Sequence, residues 1–356
     1  MTSKKNLAII FLAIFSILIS ACSSAIYAST GWHGLAAGSD TAYLAAGTQV
    51  YAVDLNTHGE KWRYPEKANA KISFYANPVL TSDNQLLIPS YDHNLYILDA
   101  ASGKEIWKFT ESKNRLIASP LVIGNMAYQP STDGFIYAVD LTAQQLKWKQ
   151  ETGDPIWAQP ADNANCNCVF VASMDHFIYS FDAAIGTLNW KTDMGAAVVG
   201  TPAVSSDGSL YVGTFGKQMI ALDAATGEVH WRYDTQDWVW SGPTLNNNVL
   251  YFGDLSGNIY ALNVDGTKVW SNKENNPIVD TPAVSQDKIY FTTESDTLFV
   301  LNTAGDKVSS QVIGGVIYSS PVIAGDTLLV APTNFDASLV AFNLNGAQQW
   351  SFTPAK

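Results

Sequence analysis

Leu210 to Trp231, LYVGTFGKQMIALDAATGEVHW, is one unit of a repeat, and the rest of the chain is read from it. Leu210 to Gly213 and Met219 to Asp223 are short apolar runs of β-forming residues, and Ala224 to Gly227 is a turn. Beyond the turn, Val229, Trp231 and Tyr233 alternate with His230 and Arg232, the period of a strand with one buried face. The unit therefore reads as strand, strand, turn, strand. Three or four strands in about 40 residues cannot close a core alone and must stack on copies of themselves.

Aligning the chain on this unit pairs Asp54 with Trp62, Asp99 with Trp107, Asp140 with Trp148, Asp182 with Trp190 and Asp223 with Trp231. Three later copies shorten the turn by one residue: Asn263 with Trp270, Asn302 with Ser309, and Asn343 with Trp350. Pro78, Pro120, Pro160, Pro202, Pro243, Pro282 and Pro321 run in step, each before a short apolar run that supplies a fourth strand. Gly34 holds that place in the first copy. Proline is tolerated there because it begins a strand with one edge free of ladder partners.

Eight four-stranded units repeated radially make an all-β fold, an eight-bladed β-propeller of antiparallel blades. A linear solenoid would need polar capping units, and neither terminus offers one. No unit is split between the chain ends, so closure is expected from blade packing, with Ser351 to Pro354 or the residues after Cys22 as a strap. Trp62, Trp107, Trp148, Trp190, Trp231, Trp270 and Trp350 are expected to dock between blades, filling the widening wedge and giving their N–H to a backbone carbonyl. Ser309 marks the weakest joint.

The chain opens with Lys4 and Lys5, then an uncharged apolar run from Leu7 to Ala21, then Cys22. This reads as a secretory signal over residues 1–21. A membrane-spanning helix is the competing reading, but the run falls short of the roughly 20 apolar residues a span needs. Residues 22–30 form a short linker and residues 31–356 the propeller. Without the two signal lysines, 18 basic residues face 32 acidic ones, a net charge of −14, so nucleic acid and anionic lipid surfaces are poor partners. Hydrophobic residues make up 47% and charged residues 15%, which suits a large buried core rather than disorder. Cys166 and Cys168 are too close in sequence for an ordinary unstrained disulfide and read as two structural thiols or a strained local bridge, with a redox or metal pair the less favoured alternative.

Two resemblances follow. Ile19, Ser20, Ala21, Cys22 resembles the lipobox of bacterial lipoproteins, which implies that Cys22 is the lipidated first residue of an extracytoplasmic, membrane-anchored chain. The copies SGKEIW at Ser102 to Trp107 and TGEVHW at Thr226 to Trp231, each after ILD or ALD, resemble the tryptophan-docking repeat of the PQQ-type eight-bladed propellers. That superfamily includes quinoprotein dehydrogenases and BamB-type assembly lipoproteins, and a lipobox with a single propeller is similar to the BamB type. The resemblance implies a non-catalytic scaffold binding other proteins, in outer-membrane protein assembly where an outer membrane exists; a PQQ-dependent dehydrogenase or a small-ligand sensor is the alternative.

Quinoprotein dehydrogenases use PQQ with calcium, a catalytic aspartate and a disulfide between adjacent cysteines. This sequence has no adjacent cysteines, and Asp280 is the one carboxylate just before the prolines, without an evident calcium triad. Neither PQQ nor calcium is therefore expected, and no catalytic residue is assigned. Phosphate-loop, GxSxG and HExxH motifs are absent.

The loops leading to each proline share a face with the turns joining the second and third strands. Three residues before the prolines stand Tyr75, Ile117, Trp157, Val199, Trp240, Val279 and Tyr318, with Trp238 alongside. Tyr75, Trp157, Trp238, Trp240 and Tyr318, with Asp280, form the candidate face for a partner or ligand; channel packing is the competing reading. Asp92, His93, Asp133, Asp175, His176, Asp254, Asp296 and Asp336 occupy the turns of that face. A metal site is conceivable there, but aspartate in a hairpin turn more often satisfies backbone donors, and no metal is expected.

Overall fold

The computed structural model describes residues 31–355 apart from Ala164 and Gln286; Cys22 and the leader lie outside the described residues. Those residues form eight four-stranded antiparallel sheets and no helix. Each sheet is one continuous stretch of chain: Gly34–Tyr64, Val79–Phe109, Leu121–Glu151, Ala161–Asp193, Ala203–Asp234, Thr244–Lys273, Ala283–Val312 and Val322–Phe352, here blades one to eight. Within a blade the strands pair in chain order, from an innermost strand of two to four residues to an outermost strand at the rim. Every innermost strand after the first begins one residue past a proline of the repeat.

The sequence pattern follows from burial. The second and third strands lie between neighbouring blades, so Leu210 to Thr214 and Met219 to Leu222 are buried throughout, as sheets covered on both faces require. The outermost strand, Val229–Asp234, alternates half-buried and exposed residues. Each apolar cluster joins two adjacent blades, and there are eight, one for each joint. The cluster containing Leu35, Leu44, Val53, Leu329, Leu339 and Phe352 joins blades eight and one, so side-chain packing closes the ring with no shared sheet. Tyr51 meets Phe352 edge-on at 6.2 Å, and Arg63 Nη1 donates to Ala355 O at 3.1 Å across the same seam.

Every blade carries a register shift between its third and outermost strands, at the pair holding the repeat tryptophan or, in blade seven, Ser309: Ala221 opposite Trp231, for example. The indole N–H of Trp62, Trp148, Trp190, Trp231 and Trp270 donates to a carbonyl in the next blade, on Ala100, Ala183, Ala224, Val264 and Thr303, at 2.9–3.1 Å. A glycine of that turn lies over each ring. At Gly227, with φ +74°, a Cβ would sit 2.5 Å from Trp190 Cε3, so no side chain fits.

Three joints depart from this arrangement. His58 (φ 62°) occupies the glycine position facing Trp350 and stacks on it at 4.6 Å. Gln144 (φ 54°) occupies the turn facing Trp107, Ile97 replaces the small residue opposite, and the Trp107 N–H is buried without a partner. At Ser309 the hydroxyl donates to Asn345 O at 2.8 Å, and Val300 stands opposite where most blades have alanine. Cys166 and Cys168, left open between thiols and a bridge, form a disulfide at the turn entering the second strand of blade four.

Candidate functional site

The loops that enter the innermost strands gather at one end of the axis. There they line an open cavity of about 160 Å³, with Trp32, Tyr75, Trp157 and Tyr318 above Asn77, Ser119, Gln159, Thr201 and Ser320. The arrangement has two tiers set by extended-chain alternation. Of the residues three before the prolines, Tyr75, Trp157 and Tyr318 form the aromatic tier with Trp32; of the seven one before, Asn77, Ser119, Gln159, Thr201, Thr281 and Ser320 are polar and uncharged, the seventh is Gly242, and all but Thr281 and Gly242 line the cavity. Trp32 packs on Tyr75 at 5.7 Å, Tyr75 meets Tyr91 edge-on at 4.6 Å, and Arg115 lies 5.3 Å above the Tyr91 ring. The Tyr318 hydroxyl donates to Glu294 Oε1 at 3.1 Å.

Trp238 and Trp240 stand apart from the cavity. Phe215, in the turn between the second and third strands of blade five, stacks on Trp238 at 4.7 Å and lies 5.2 Å from Trp240. Trp238 is 42% and Trp240 37% exposed, so the three rings make an apolar patch on the same face. A bond from Val239 N to Thr214 O and one from Leu255 N to Trp238 O fix the loop between the turns of blades five and six. The face proposed from sequence thus divides into an axial mouth and a patch beside it. Phe215 was not named from sequence, although its loop, Thr214 to Lys217, is where the copies diverge most; the polar tier escaped because its members share no side-chain type.

Asp280 requires a correction. Placed with the aromatic face from sequence, it is 1% exposed and does not line the cavity. It stands two residues before Pro282, and the equivalent side chains Ala76, Ala118, Ala158, Ser241 and Ser319 are buried too, although Ala76, Ala118 and Ser319 still border the cavity. Its Oδ2 accepts from Thr292 N and Thr292 Oγ1, both at 2.8 Å, while Oδ1 is buried without a partner. Burial pushes its carboxyl up to about 7, against the smaller opposing pull of the Thr292 bonds.

The turn carboxylates are engaged locally. Asp92 accepts from Tyr96, Asp133 from Tyr137, Asp175 from Tyr179 and Asp254 from Tyr260, with hydroxyl distances of 2.6–2.7 Å. Burial and the bond to Asp92 push the Tyr96 hydroxyl well above its usual range. Asp254 also accepts from Ser256 and Asn258; these bonds and the one from Tyr260 outweigh its burial and hold its carboxyl below the usual value. His93 and His176 hold left-handed backbone positions, φ 72° and 78°, in two of these turns.

The axial lining does not suit PQQ. That cofactor is a polyanion, and among the described residues no lysine or arginine lines the cavity to meet its carboxylates. Among the described residues no aspartate or glutamate lines it to hold calcium, and the disulfide joins Cys166 to Cys168, neither in the lining.

The fold recurs in solved structures of low sequence identity. BamB from Moraxella catarrhalis superposes with a TM-score of 0.75 at 19% identity, covering 86% of this chain and 94% of that one. The computationally designed Ika8 protein gives 0.75 at 14% identity, covering 92% and 98%. Shorter segments are similar to enzymes. Quinoprotein alcohol dehydrogenase PedH of Pseudomonas putida is 35% identical over 77 residues, 19% of this chain and 13% of that enzyme. The dehydrogenase subunit of the quinone alcohol dehydrogenase of Gluconacetobacter polyoxogenes is 38% identical over 84 residues, 20% and 11%. The chain thus matches only a small part of either dehydrogenase's length. The sequence profile described as "Outer membrane protein assembly factor BamB" matches residues 45–174, 174–281 and 255–355, nearly the whole propeller, and the chain belongs to that family of PQQ-repeat propellers.

Proposed function

We propose that this protein is a non-catalytic scaffold, anchored outside the cytoplasm by a lipid on Cys22, that holds other proteins at the membrane during outer-membrane protein assembly. The observation that carries the reading is the patch of Phe215, Trp238 and Trp240. Exposed aromatic rings held on a rigid frame are the usual anchors of a protein interface, supplying much contact area with little side-chain entropy to lose. The family description supports the assembly role.

A photo-crosslinking residue in place of Trp238, in the lipidated protein in its own membrane, tests this. The expected product is a crosslink to an outer-membrane barrel with periplasmic repeats; its absence from all crosslinked partners sinks the assembly role. The anchor is checked separately: labelled acyl chain should appear on the protein and disappear in Cys22→Ser. A dehydrogenase is the second reading, supported by the matched segments of PedH and its relative. Dye-linked oxidation of alcohols or sugars after adding PQQ and calcium separates the two, since clear turnover would overturn the scaffold.

A further inference from the structure

The axial mouth differs chemically from the rest of the molecule. The chain carries 32 acidic and 20 basic residues, yet among the described residues no charged side chain lines the cavity. Its polar tier is held rigidly. Asn77 Oδ1 accepts from Leu35 N at 3.0 Å, and Ser119 Oγ donates to Asn77 O at 2.8 Å. Gln159 Nε2 donates to Pro120 O at 3.0 Å, and Ser320 Oγ accepts from Thr281 N at 3.0 Å. Each bond reaches between adjacent blades, so the joints that close the ring also fix these side chains.

Each anchored group keeps one capability for which the described residues provide no hydrogen-bond partner. Asn77 keeps its amide N–H donors, Gln159 its carbonyl oxygen, Ser320 its hydroxyl hydrogen and Ser119 its lone pairs. A ligand seated there meets fixed donors and acceptors in alternation, no charge, and aromatic walls at Trp32, Tyr75, Trp157 and Tyr318. An anion finds no cation, and a purely apolar ligand would leave these polar groups covered and unpaired, which disfavours it. The cavity of about 160 Å³ is smaller than the roughly 300–1,000 Å³ of pockets for drug-sized ligands, which suits one ring rather than a chain.

We infer that the axial mouth binds a neutral pyranose unit of a saccharide. One C–H face of the sugar packs against the Trp157 indole, and its hydroxyls bond to Asn77, Gln159 and Ser320. The site is separate from the Phe215 patch, so saccharide binding and protein docking stand or fall independently.

The test is calorimetric titration of the full mature chain in detergent with methyl α-D-glucopyranoside and with N,N′-diacetylchitobiose, using glucuronate as the charged control. Saturable binding of at least one neutral glycoside, with glucuronate weaker, is expected. Trp157→Ala and Gln159→Ala should each weaken it about tenfold or more, while Trp238→Ala leaves it unchanged. Thermal midpoints of Trp157→Ala and Trp238→Ala should stay near the parent value, because both rings are exposed, and Gln159→Ala, which loses the bond to Pro120 O, should fall by only about 1–2 °C. No binding of either neutral glycoside, stronger binding of glucuronate, or affinity indifferent to Trp157→Ala would each overturn the inference.

Discussion

Gly227 is where the contact between adjacent blades can be measured most directly. A methyl group there would lie 2.5 and 2.7 Å from Trp190 Cε3 and Cδ2 and 2.7 Å from Thr192 Oγ1, on a backbone with φ +74°. Alanine in the left-handed region costs about 1–2 kcal/mol. Forcing a methyl against a packed ring adds about 1–3 kcal/mol. Gly227→Ala should therefore destabilise by roughly 2–5 kcal/mol. Gly208 supplies the control: φ is +90° and nothing stands within 4 Å of its Cβ position, so Gly208→Ala should show only the backbone cost. An unfolding entropy of about 2.1 cal/mol/K per residue converts 1 kcal/mol into about 1.5 °C for a propeller of this length. Scanning calorimetry should thus show a fall of about 3–7 °C for Gly227→Ala against about 1.5–3 °C for Gly208→Ala. In a Trp190→Ala background the excess should vanish, a coupling of about 1–3 kcal/mol in the double-mutant cycle. Equal costs for the two glycines, or a coupling near zero, would refute the argument that the ring fixes this residue.

Other outcomes follow from single side chains. Asp280 has its carboxyl raised from an ordinary 3.8 to about 7 by burial, so its contribution to stability is intact below about pH 4 and is lost as pH rises through 7. Asp280→Asn should therefore flatten the fall in stability between about pH 4 and 7, gaining up to about 4 kcal/mol above pH 7 by denaturant titration; an unchanged profile would contradict the assignment. His33 is shifted the other way: burial lowers it to about 4 against backbone bonds at Pro332 and Ser338. Its contribution is present above pH 6.5 and lost as pH falls through 4, and a His33→Gln variant should lose that acid-side slope. Gln144→Gly relieves a left-handed residue facing Trp107 and should stabilise by about 1 kcal/mol, the reverse of the usual effect of introducing glycine. Trp231→Ala should cost about 3–5 kcal/mol by thermal or denaturant unfolding, and Trp32→Ala, at the mouth, far less.

The ring was legible because its evidence repeats. An aspartate or asparagine seven or eight residues before a tryptophan, and a proline before each innermost strand, recur in step, so a single exception such as Ser309 does not break the pattern. The site was less legible because it depends on direction. Tyr75, Trp157 and Tyr318 were found by their distance from the prolines, but Asp280, one residue nearer, points inward by strand alternation. Trp240 occupies the same repeat position as Trp157 yet lies beside Phe215, a pairing set by one loop of one blade that no repeat encodes. The orphaned N–H of Trp107 was also out of reach, since it accompanies two substitutions, Ile97 and Gln144, distant from it in sequence.

Because each sheet is drawn from a single uninterrupted segment and no β-ladder crosses the seam between blades eight and one, the gene can gain or lose a blade by duplicating or deleting one segment of about 41 codons without severing a β-ladder. The limit on such events is angular rather than topological: each added blade must be matched by a change in the wedge that the tryptophan fills. The same seam makes the molecule indifferent to where its chain starts, so a circularly permuted gene opened in the loop before any of the prolines should yield the same ring.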